Sequence, residues 1–441
     1  MLKIALNIFA AALVGGAILL QDYALARNFG ISATQDFYQF SYLIASNLWN
    51  VLSGGTYFAI AVPLLLSLRS KNTNSNGSEI YFKFFIIYFL IVVTICVASY
   101  LYLVNSTGFL HKDHNQMLGS SLTIKLLILS VPIHLIASYF FVKVVCQKMN
   151  FVATMSSSLI YLGIPVWAIF NSFSIAEAAL AVCIGLVTQL GILATINLLS
   201  ENAKHDVYIN IIDVSQTDTK KIILVNIIEI FKIILSALLI ALLNWLITAE
   251  YAHQGVGEVS KFLYATKPLN MAAAFLTIVI ANYLLASFSE TAAKKEYKKL
   301  KKDVLRAYKI VFVISLLIIF FWYFASGFFY QIMFFKSNVT SYSIGQIEFL
   351  SNVTIFQLPL YMIGVVAWRG LNALSRNNEI LKASIAAVIL FYILKMALPT
   401  DFQYKTLVIY ISTYLLWGAY LMLSILVITQ NLIRETGVQK I

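Results

Sequence analysis

Charged side chains are scarce in this 441-residue sequence. Aspartate, glutamate, lysine and arginine make up 11% of it, 60% of the residues are hydrophobic, and the mean hydropathy is +0.84. A soluble domain of this length does not need so much apolar surface, whereas repeated apolar runs of about eighteen or more residues are typical of transmembrane helices. The apolar runs are continuous rather than alternating, which excludes a membrane β-barrel. We therefore predict an all-α integral membrane protein.

Cysteine is almost absent, and the motifs of membrane enzymes are missing altogether. Cys96, Cys146 and Cys183 have neither metal-ligand spacing nor the pattern of a disulfide framework. The sequence contains no H-E-x-x-H, no G-x-S-x-G and no phosphate-binding G-x-x-x-x-G-K loop. His111 and His114 form an H-K-D-H group, but in a short solvated loop we interpret this as ordinary polar surface. We expect no catalytic residues, no cofactor and no metal site.

Short polar loops divide the apolar sequence into about twelve predicted transmembrane helices. The longest polar linker between them, 201–220, falls near the middle of the chain. We therefore predict an N-lobe of six helices at 1–200, a cytoplasmic linker at 201–220 and a C-lobe of six helices at 221–441. The predicted spans lie near 3–28, 37–68, 81–104, 119–142, 150–171, 175–199, 221–247, 258–288, 307–329, 346–368, 378–398 and 405–431.

The formal net charge of +12 is explained by membrane topology. Lysine and arginine concentrate in alternate loops, most densely in the run K-K-E-Y-K-K-L-K-K at 294–302. Because cytoplasmic loops carry the excess of basic residues, this pattern places both termini in the cytoplasm. The same run could also contact anionic lipid headgroups. We expect membrane lipids as partners and no nucleic acid.

A shift of 220 residues lays the second predicted span on the eighth. Asn50 then falls on Asn270, and several leucines and alanines coincide. Asn47 falls on Lys267, so each half presents a polar group at the same depth. Transporters are often built from such repeats, and repeats that run in the same direction give two pseudo-symmetric lobes.

A few charged residues lie at or near membrane depth, where charge is costly and marks functional candidates. Asp22 lies in the outer part of the first span, Arg27 follows near the interface, and Asp36 opens the second span. A snorkelling anchor is the alternative interpretation of Arg27, and a helix N-cap is that of Asp36. Lys267 lies about two turns into the eighth span, directly before Pro268, and must face water or an anion rather than lipid.

At these positions the sequence resembles the lipid II flippase family, within the wider superfamily of multidrug, oligosaccharidyl-lipid and polysaccharide exporters. The stretch Y-A-T-K at 264–267 resembles the start of the family's eighth helix, and 369–381 resembles the turn between its tenth and eleventh helices. The resemblance implies two six-helix lobes around a central cavity that opens to each side in turn. The first two helices carry the matching residues Asp22, Ala26, Arg27, Phe29, Gly30, Asp36, Phe37, Gly55, Val62 and Pro63.

Several cations of the family pattern are replaced here. Gln21, Trp49 and Asn50 stand where the family has arginines, and Gly54 stands where it has a glutamate. Lys267 replaces an arginine and so keeps the charge without the two-pronged hydrogen bonding. With fewer cations for a diphosphate, a cargo other than lipid II fits better.

The resemblance thus implies a flippase in the bacterial inner membrane. Its cargo would be an undecaprenyl-diphosphate-linked oligosaccharide, either an O-antigen or exopolysaccharide repeat unit or a lipid II-like precursor, and polysaccharide polymerase or assembly proteins would be partners. The coupling ion would be H⁺ or Na⁺. Expected substrate-binding residues are Lys267, Arg27 and Asn47, and expected coupling or cavity-lining residues are Asp22, Gln21, Asp36 and Asn50.

Two other functions stay open. A small-molecule or drug–cation antiporter of the same superfamily would be expected to keep an acidic site in its cavity, and having Asp22 as the only clear acid there argues against it. An integral-membrane glycan-processing enzyme would need a large catalytic loop or a His/Asp motif, and the short loops argue against one.

Overall fold

The computed structural model describes residues 2–55, 57, 61, 76–106, 117–147, 149–170, 172–202, 219–277, 282–335, 337, 339–399, 402 and 404–438. No strand occurs within these ranges. The helices of the first half are α1 (Leu2–Phe29), α2 (Ala33–Leu48), α3 (Asn76–Ser106), α4 (Met117–Cys146), α5 (Asn150–Ser156), α6 (Ser158–Phe170) and α7 (Ile175–Asn202). Those of the second half are α8 (Thr219–Ala252), α9 (Glu258–Leu276), α10 (Asn282–Ala293), α11 (Tyr297–Met333), α12 (Ser341–Thr354), α13 (Leu358–Ala373), α14 (Asn377–Ala397) and α15 (Lys405–Val438).

Among the described residues, nine helical stretches are long and apolar enough to cross a membrane. The prediction of an all-α, multi-pass membrane protein is confirmed. The total of twelve spans and the cytoplasmic position of both termini stay predictions.

The chain divides into two compact units. Unit 1 is built from 1–230 with 336–338, and unit 2 from 231–335 with 339–441. Residues 203–218 of the predicted linker lie outside the described ranges, so the predicted lobe boundaries stay a prediction.

The two units share an internal packing pattern. In unit 1, α4 packs against α2, α3 and α7, and α6 packs against α7. In unit 2, the pair α12–α13 packs against α9, α11 and α15, and α14 packs against α15. These four contacts of unit 1 therefore have counterparts in unit 2, in the same chain order, which agrees with the predicted repeat.

Two glycines in unit 1 let α6 and α7 approach backbone to backbone. A Cβ atom at Gly163 would collide with the Ala181 carbonyl, and one at Gly185 would collide with the Leu159 carbonyl. Small residues at helix contacts are the usual means of close packing between membrane helices, because lipid supplies no hydrophobic force between them.

The structure corrects one reading of Asp36. The N-cap of α2 is Ser32, whose hydroxyl accepts a hydrogen bond from the Gln35 amide at 3.2 Å. Ser32 has the extended backbone of an N-cap, and α2 begins at Ala33, so Asp36 lies inside the first turn. The N-cap interpretation of Asp36 is therefore wrong.

After Leu48, α2 continues as a π-helix at Trp49–Gly55. Trp49 Nε1 donates a hydrogen bond to Ser130 Oγ at 3.0 Å, and the Leu52 carbonyl accepts one from the Tyr88 hydroxyl at 2.6 Å. Widened turns of this kind often occur at functional sites. Here the anchors from α3 and α4 hold the widened turn in place.

The basic run at 294–302 is mostly helical rather than a loop. α11 begins at Tyr297, ten residues before the predicted span at 307, after a turn in which Lys295 has a φ of +56°. Leu300 and Val304 are buried while Lys298 and Lys302 are exposed, which is the pattern of an amphipathic helix. The span was predicted too short because lysines count against a membrane segment although they continue the helix.

Candidate functional site

Unit 1 contains a cluster of buried polar side chains, called here the α1–α2 polar cluster. It consists of Gln21 and Asp22 on α1 and of Gln35, Asp36 and Gln39 on α2, all of them buried, with Asp22 only 1% exposed. Burying this much polar surface in an apolar helical unit is costly, so such residues are functional candidates.

A sharp connection brings the two helices of the cluster into contact. Gly30 has a φ of +63°, a conformation that suits glycine, and it lies between the end of α1 and the Ser32 cap of α2. Next to this turn, Asn28 Nδ2 donates to the Phe173 carbonyl at 2.6 Å, and the rings of Phe29 and Phe173 meet edge to face. The turn is thereby held against the segment that precedes α7.

Three tyrosines interact electrostatically with the carboxylate of Asp22. Asp22 lies within electrostatic range of Tyr38, Tyr42 and Tyr161. The rings of Tyr38 and Tyr42 stack with centroids 5.9 Å apart, and the Gln21 amide hydrogen-bonds the Tyr42 hydroxyl. Carboxylate, amide and phenol groups together offer hard oxygen atoms, which suit a proton or a small hard cation.

Some polar atoms of the cluster have unused hydrogen-bonding capacity. Within the described residues, Gln21 Oε1, Tyr38 Oη and Gln39 Nε2 are buried and have no hydrogen-bond partner. A buried polar atom left without a partner costs about 1–3 kcal/mol. Of these residues, Gln21 is next to Asp22 in the chain and Tyr38 interacts with it electrostatically, which favours a site that binds a small polar species.

Three predicted site residues lie outside the α1–α2 polar cluster. Arg27 is exposed in the last turn of α1, and Asn50 is exposed in the π-helix. Asn47 is half-buried near the end of α2, and its Nδ2 atom has no hydrogen-bond partner among the described residues. Of the predicted site residues on α1 and α2, Gln21, Asp22 and Asp36 are therefore buried, whereas Arg27 and Asn50 are exposed and Asn47 is half-buried.

Lys267 is half-buried on α9 of unit 2. The next residue, Pro268, has no N–H, so the carbonyl of Tyr264 loses its partner in the helix ladder. The hydroxyl of Tyr330 on α11 replaces that partner and donates to the Tyr264 carbonyl at 3.2 Å. The contact ties α9 to α11 one turn before Lys267, and its donor was not among the predicted site residues.

The sequence analysis also missed Gln35, Gln39 and the tyrosines Tyr38 and Tyr161. Gln35 and Gln39 are spaced i, i+4, and this spacing could have shown a polar face on a predicted membrane helix. Tyr161 is brought to Asp22 by the packing of α6 against α1, which no local pattern indicates.

The long apolar helices and their buried polar side chains define a polytopic membrane protein. The fold resembles a solved lipid II flippase MurJ in its inward closed conformation, with a TM-score of 0.70 at 14% identity, covering 96% of this chain and 87% of that one. It resembles equally an inward-facing multidrug resistance MATE family transporter, with a TM-score of 0.70 at 15% identity, covering 98% and 99%. At such identities these likenesses show the fold alone.

Residues 25–439 match the family model described as lipid II flippase MurJ, and the chain belongs to that family. A probable lipid II flippase MurJ from Buchnera aphidicola subsp. Acyrthosiphon pisum (strain APS) is 25% identical over 320 residues, which cover 68% of this chain and 60% of the relative. The predicted family is therefore confirmed. Members of this family are transporters, and the prediction that this protein is not an enzyme agrees with the family.

Proposed function

We propose that this protein moves a polyprenyl-diphosphate-linked glycan precursor across the bacterial inner membrane by alternating access. The observation that carries the proposal is the match of residues 25–439 to the flippase family model. The multi-pass helical structure suits a cargo that stays in the membrane. Long soluble segments are scarce, so we assign the enzymatic steps that build the glycan to other proteins.

Lys267 is the proposed cation for the diphosphate of the cargo. Its ammonium pairs with phosphate as a point charge, and the Tyr330 contact fixes the helix that carries it. Arg27 assists from its exposed position at the end of α1, and Asn47 contributes the unpaired donor of its amide. These roles use polar groups that lipid alone does not satisfy.

The α1–α2 polar cluster is the proposed coupling site. Asp22 binds H⁺ or Na⁺ there, with the amide oxygen of Gln21 and the neighbouring phenols completing its surroundings. Asp36 lies one turn from Gln39 on the same helix and adds a second carboxylate to the cluster. Binding of a cation changes the charge of a buried group, which is a direct way to bias a conformational equilibrium.

Two cargoes fit the proposal and are separated by experiment. The family model favours lipid II, whereas the neutral residues Gln21, Trp49 and Asn50 favour an O-antigen or exopolysaccharide repeat unit. With the second cargo we expect a polysaccharide polymerase or assembly protein as partner. Purified protein in proteoliposomes, supplied with each undecaprenyl-diphosphate-linked glycan in turn, ranks them by the rate at which the glycan reaches the opposite leaflet.

The same assay tests Lys267. We expect Lys267→Ala to abolish translocation and Lys267→Arg to retain it, because arginine keeps the charge. Lys302→Ala is the matched control, since Lys302 is an exposed lysine on α11. Translocation by Lys267→Ala at the wild-type rate would remove Lys267 from the mechanism, and absence of translocation by the wild type with every lipid-linked glycan would overturn the proposed function.

A drug–cation antiporter is the second candidate, favoured by the buried carboxylate of Asp22. Proton-driven efflux of a cationic dye from the same proteoliposomes, without translocation of lipid-linked glycan, would establish it in place of the flippase.

A further inference from the structure

A cleft with a volume of about 670 Å³ opens at one end of unit 2. It lies where the connection from α8 to α9 meets the first turns of α12 and α15. Four aromatic rings line it, from Tyr251, Tyr342, Phe349 and Tyr404. Tyr342 is 76% exposed, and the rings of Phe349 and Tyr404 contact each other with centroids 5.8 Å apart. The size is typical of pockets that hold small ligands.

These rings are arranged differently from an aromatic belt. Interfacial tyrosines of membrane proteins ordinarily lie around the perimeter, at the level of the lipid headgroups. Here rings from α8, from α12 and from Tyr404, the residue before α15, converge on one concave surface that also carries polar side chains. The arrangement offers stacking faces and hydrogen-bonding groups to a single ligand.

The charges of the cleft are already paired. Glu258 and Lys261, one turn apart at the start of α9, form an ion pair at 2.7 Å. Gln254 Nε2 donates to Thr406 Oγ1 at 2.6 Å, which joins the α8–α9 connection to α15. With its lysine neutralised by a neighbouring carboxylate, the cleft favours an uncharged ligand over an anion.

Two polar atoms of the cleft lack partners. Tyr251 is only 4% exposed, its ring stacks on Phe262 at 4.2 Å, and its hydroxyl has no hydrogen-bond partner among the described residues. Gln346 Oε1 is likewise buried without a partner within those ranges. A ligand that both donates and accepts hydrogen bonds would satisfy a phenol and an amide oxygen together.

The cleft lies at the outer end of unit 2 in the predicted topology. α11 carries its exposed lysines at its beginning, and its other end leads toward the start of α12, which lines the cleft. The basic end faces the cytoplasm by the positive-inside rule. The cleft therefore faces the side on which a translocated headgroup would emerge.

We propose that this cleft binds an uncharged sugar segment of the glycan headgroup on the outer side of the membrane. Sugars present C–H faces that stack on aromatic rings, and hydroxyls that donate and accept hydrogen bonds. The rings of Tyr342, Phe349 and Tyr404 supply the first contact, and Tyr251 and Gln346 supply the second. The inference rests on the proposed function, since it identifies the sugar part of the cargo as the ligand.

The test is sugar binding to the full-length protein in nanodiscs, followed by saturation-transfer NMR. Chitobiose and maltose are the probes, and inorganic phosphate is the competitor. We expect Tyr342→Ala and Tyr404→Ala each to weaken sugar binding about tenfold, the effect of losing one stacking contact. Tyr251→Phe should also weaken it, by removing only a hydroxyl. Tyr392→Ala is the matched control, because Tyr392 is an exposed tyrosine of unit 2 outside the cleft.

Three results would overturn the inference: no binding of either sugar to the wild type, equal binding by the wild type and the cleft variants, or displacement of the sugars by phosphate. Thermal unfolding of each variant separates loss of the site from loss of the fold. If the wild type translocates glycan while the cleft variants bind sugar normally, the inference fails and the proposed function stands. If sugar binding depends on the cleft but the wild type does not translocate glycan, the cleft is a sugar-binding site and the proposed function fails.

Discussion

The hydrogen bond that Pro268 removes from its helix is replaced by a residue far along the chain. Pro268 deprives the Tyr264 carbonyl of its helical partner, and the buried hydroxyl of Tyr330 supplies a replacement at 3.2 Å. The bilayer core contains no water that could hydrogen-bond the carbonyl, so leaving it unsatisfied there is costly. Tyr330 thus stabilises the part of α9 that carries Lys267.

We predict that Tyr330→Phe destabilises the protein by about 1–3 kcal/mol, the cost of leaving a buried carbonyl without its donor. Thermal unfolding in nanodiscs measures the change. Tyr323→Phe is the control, because Tyr323 is an exposed tyrosine on the same helix. Equal stability of Tyr330→Phe and the wild type would show that the carbonyl finds another partner.

Asp22 gives a second prediction at this scale. Asp22→Asn keeps the size of the side chain but removes its charge, so the α1–α2 polar cluster loses its affinity for a cation. We expect the variant to fold and to lose the acceleration of translocation by a proton or sodium gradient. The measurement is the translocation rate with and without each gradient.

The control for Asp22→Asn is Glu290→Gln. Glu290 is exposed, and a hydrogen bond from Lys294 at 2.6 Å holds the pKa of its carboxyl below the ordinary value, so the wild-type group is ionised at neutral pH. Its loss should leave gradient dependence unchanged. A full gradient response in Asp22→Asn would exclude Asp22 from coupling.

At the scale of helices, the contact of α6 with α7 depends on glycine. We predict that Gly185→Ala destabilises unit 1 by about 1–3 kcal/mol, because the added methyl group meets the Leu159 carbonyl and forces the helices apart. Gly191→Ala, on the same helix but with nothing within 4 Å of its Cβ, should be neutral or slightly stabilising. Thermal unfolding compares the two, and equal effects would refute close packing at Gly185.

Helix positions could be predicted from the sequence where the apolar run and the helix coincide. The predicted span 175–199 agrees with α7 at Ile175–Asn202. Agreement was poorer for α11, where the helix continues through lysines, and for α2, where Ser32 rather than Asp36 caps the helix. In both cases hydrophobicity marked the membrane segment, while side-chain hydrogen bonding and amphipathic packing determined where the helix begins.

The candidate site was predictable only in part. Asp22 and Gln21 were found because polar residues inside an apolar run are conspicuous, and in the structure both are buried, as is Asp36. Tyr161 was not found because tyrosine is common in membrane helices and its approach to Asp22 depends on the packing of α6 on α1. Tyr330 was missed for the same reason, since its partner is 66 residues away in sequence.

At the scale of the whole molecule, orientation is directly testable. In a variant with the three native cysteines replaced, we predict that Val256→Cys reacts with a membrane-impermeant maleimide in intact cells. Lys298→Cys should react only after permeabilisation. Both positions are exposed, so accessibility reports the side of the membrane and not burial. The opposite labelling pattern would place the N-terminus outside and the sugar-binding cleft on the cytoplasmic side.

The length of α11 has a mechanical consequence. Its 37 residues give a rod about 55 Å long, against a hydrocarbon core of about 30 Å. Lys301 near its basic end donates to Gln430 of α15 at 2.7 Å, so two helices of unit 2 are braced together there. The ten residues before the predicted span at 307 extend about 15 Å beyond the core, so a tilt of unit 2 by about 10° would displace their far end by about 3 Å relative to the edge of the core. The basic end of α11 would therefore move further than the part of the helix inside the membrane. A spectroscopic label at Lys298 would report the transport cycle through this larger displacement.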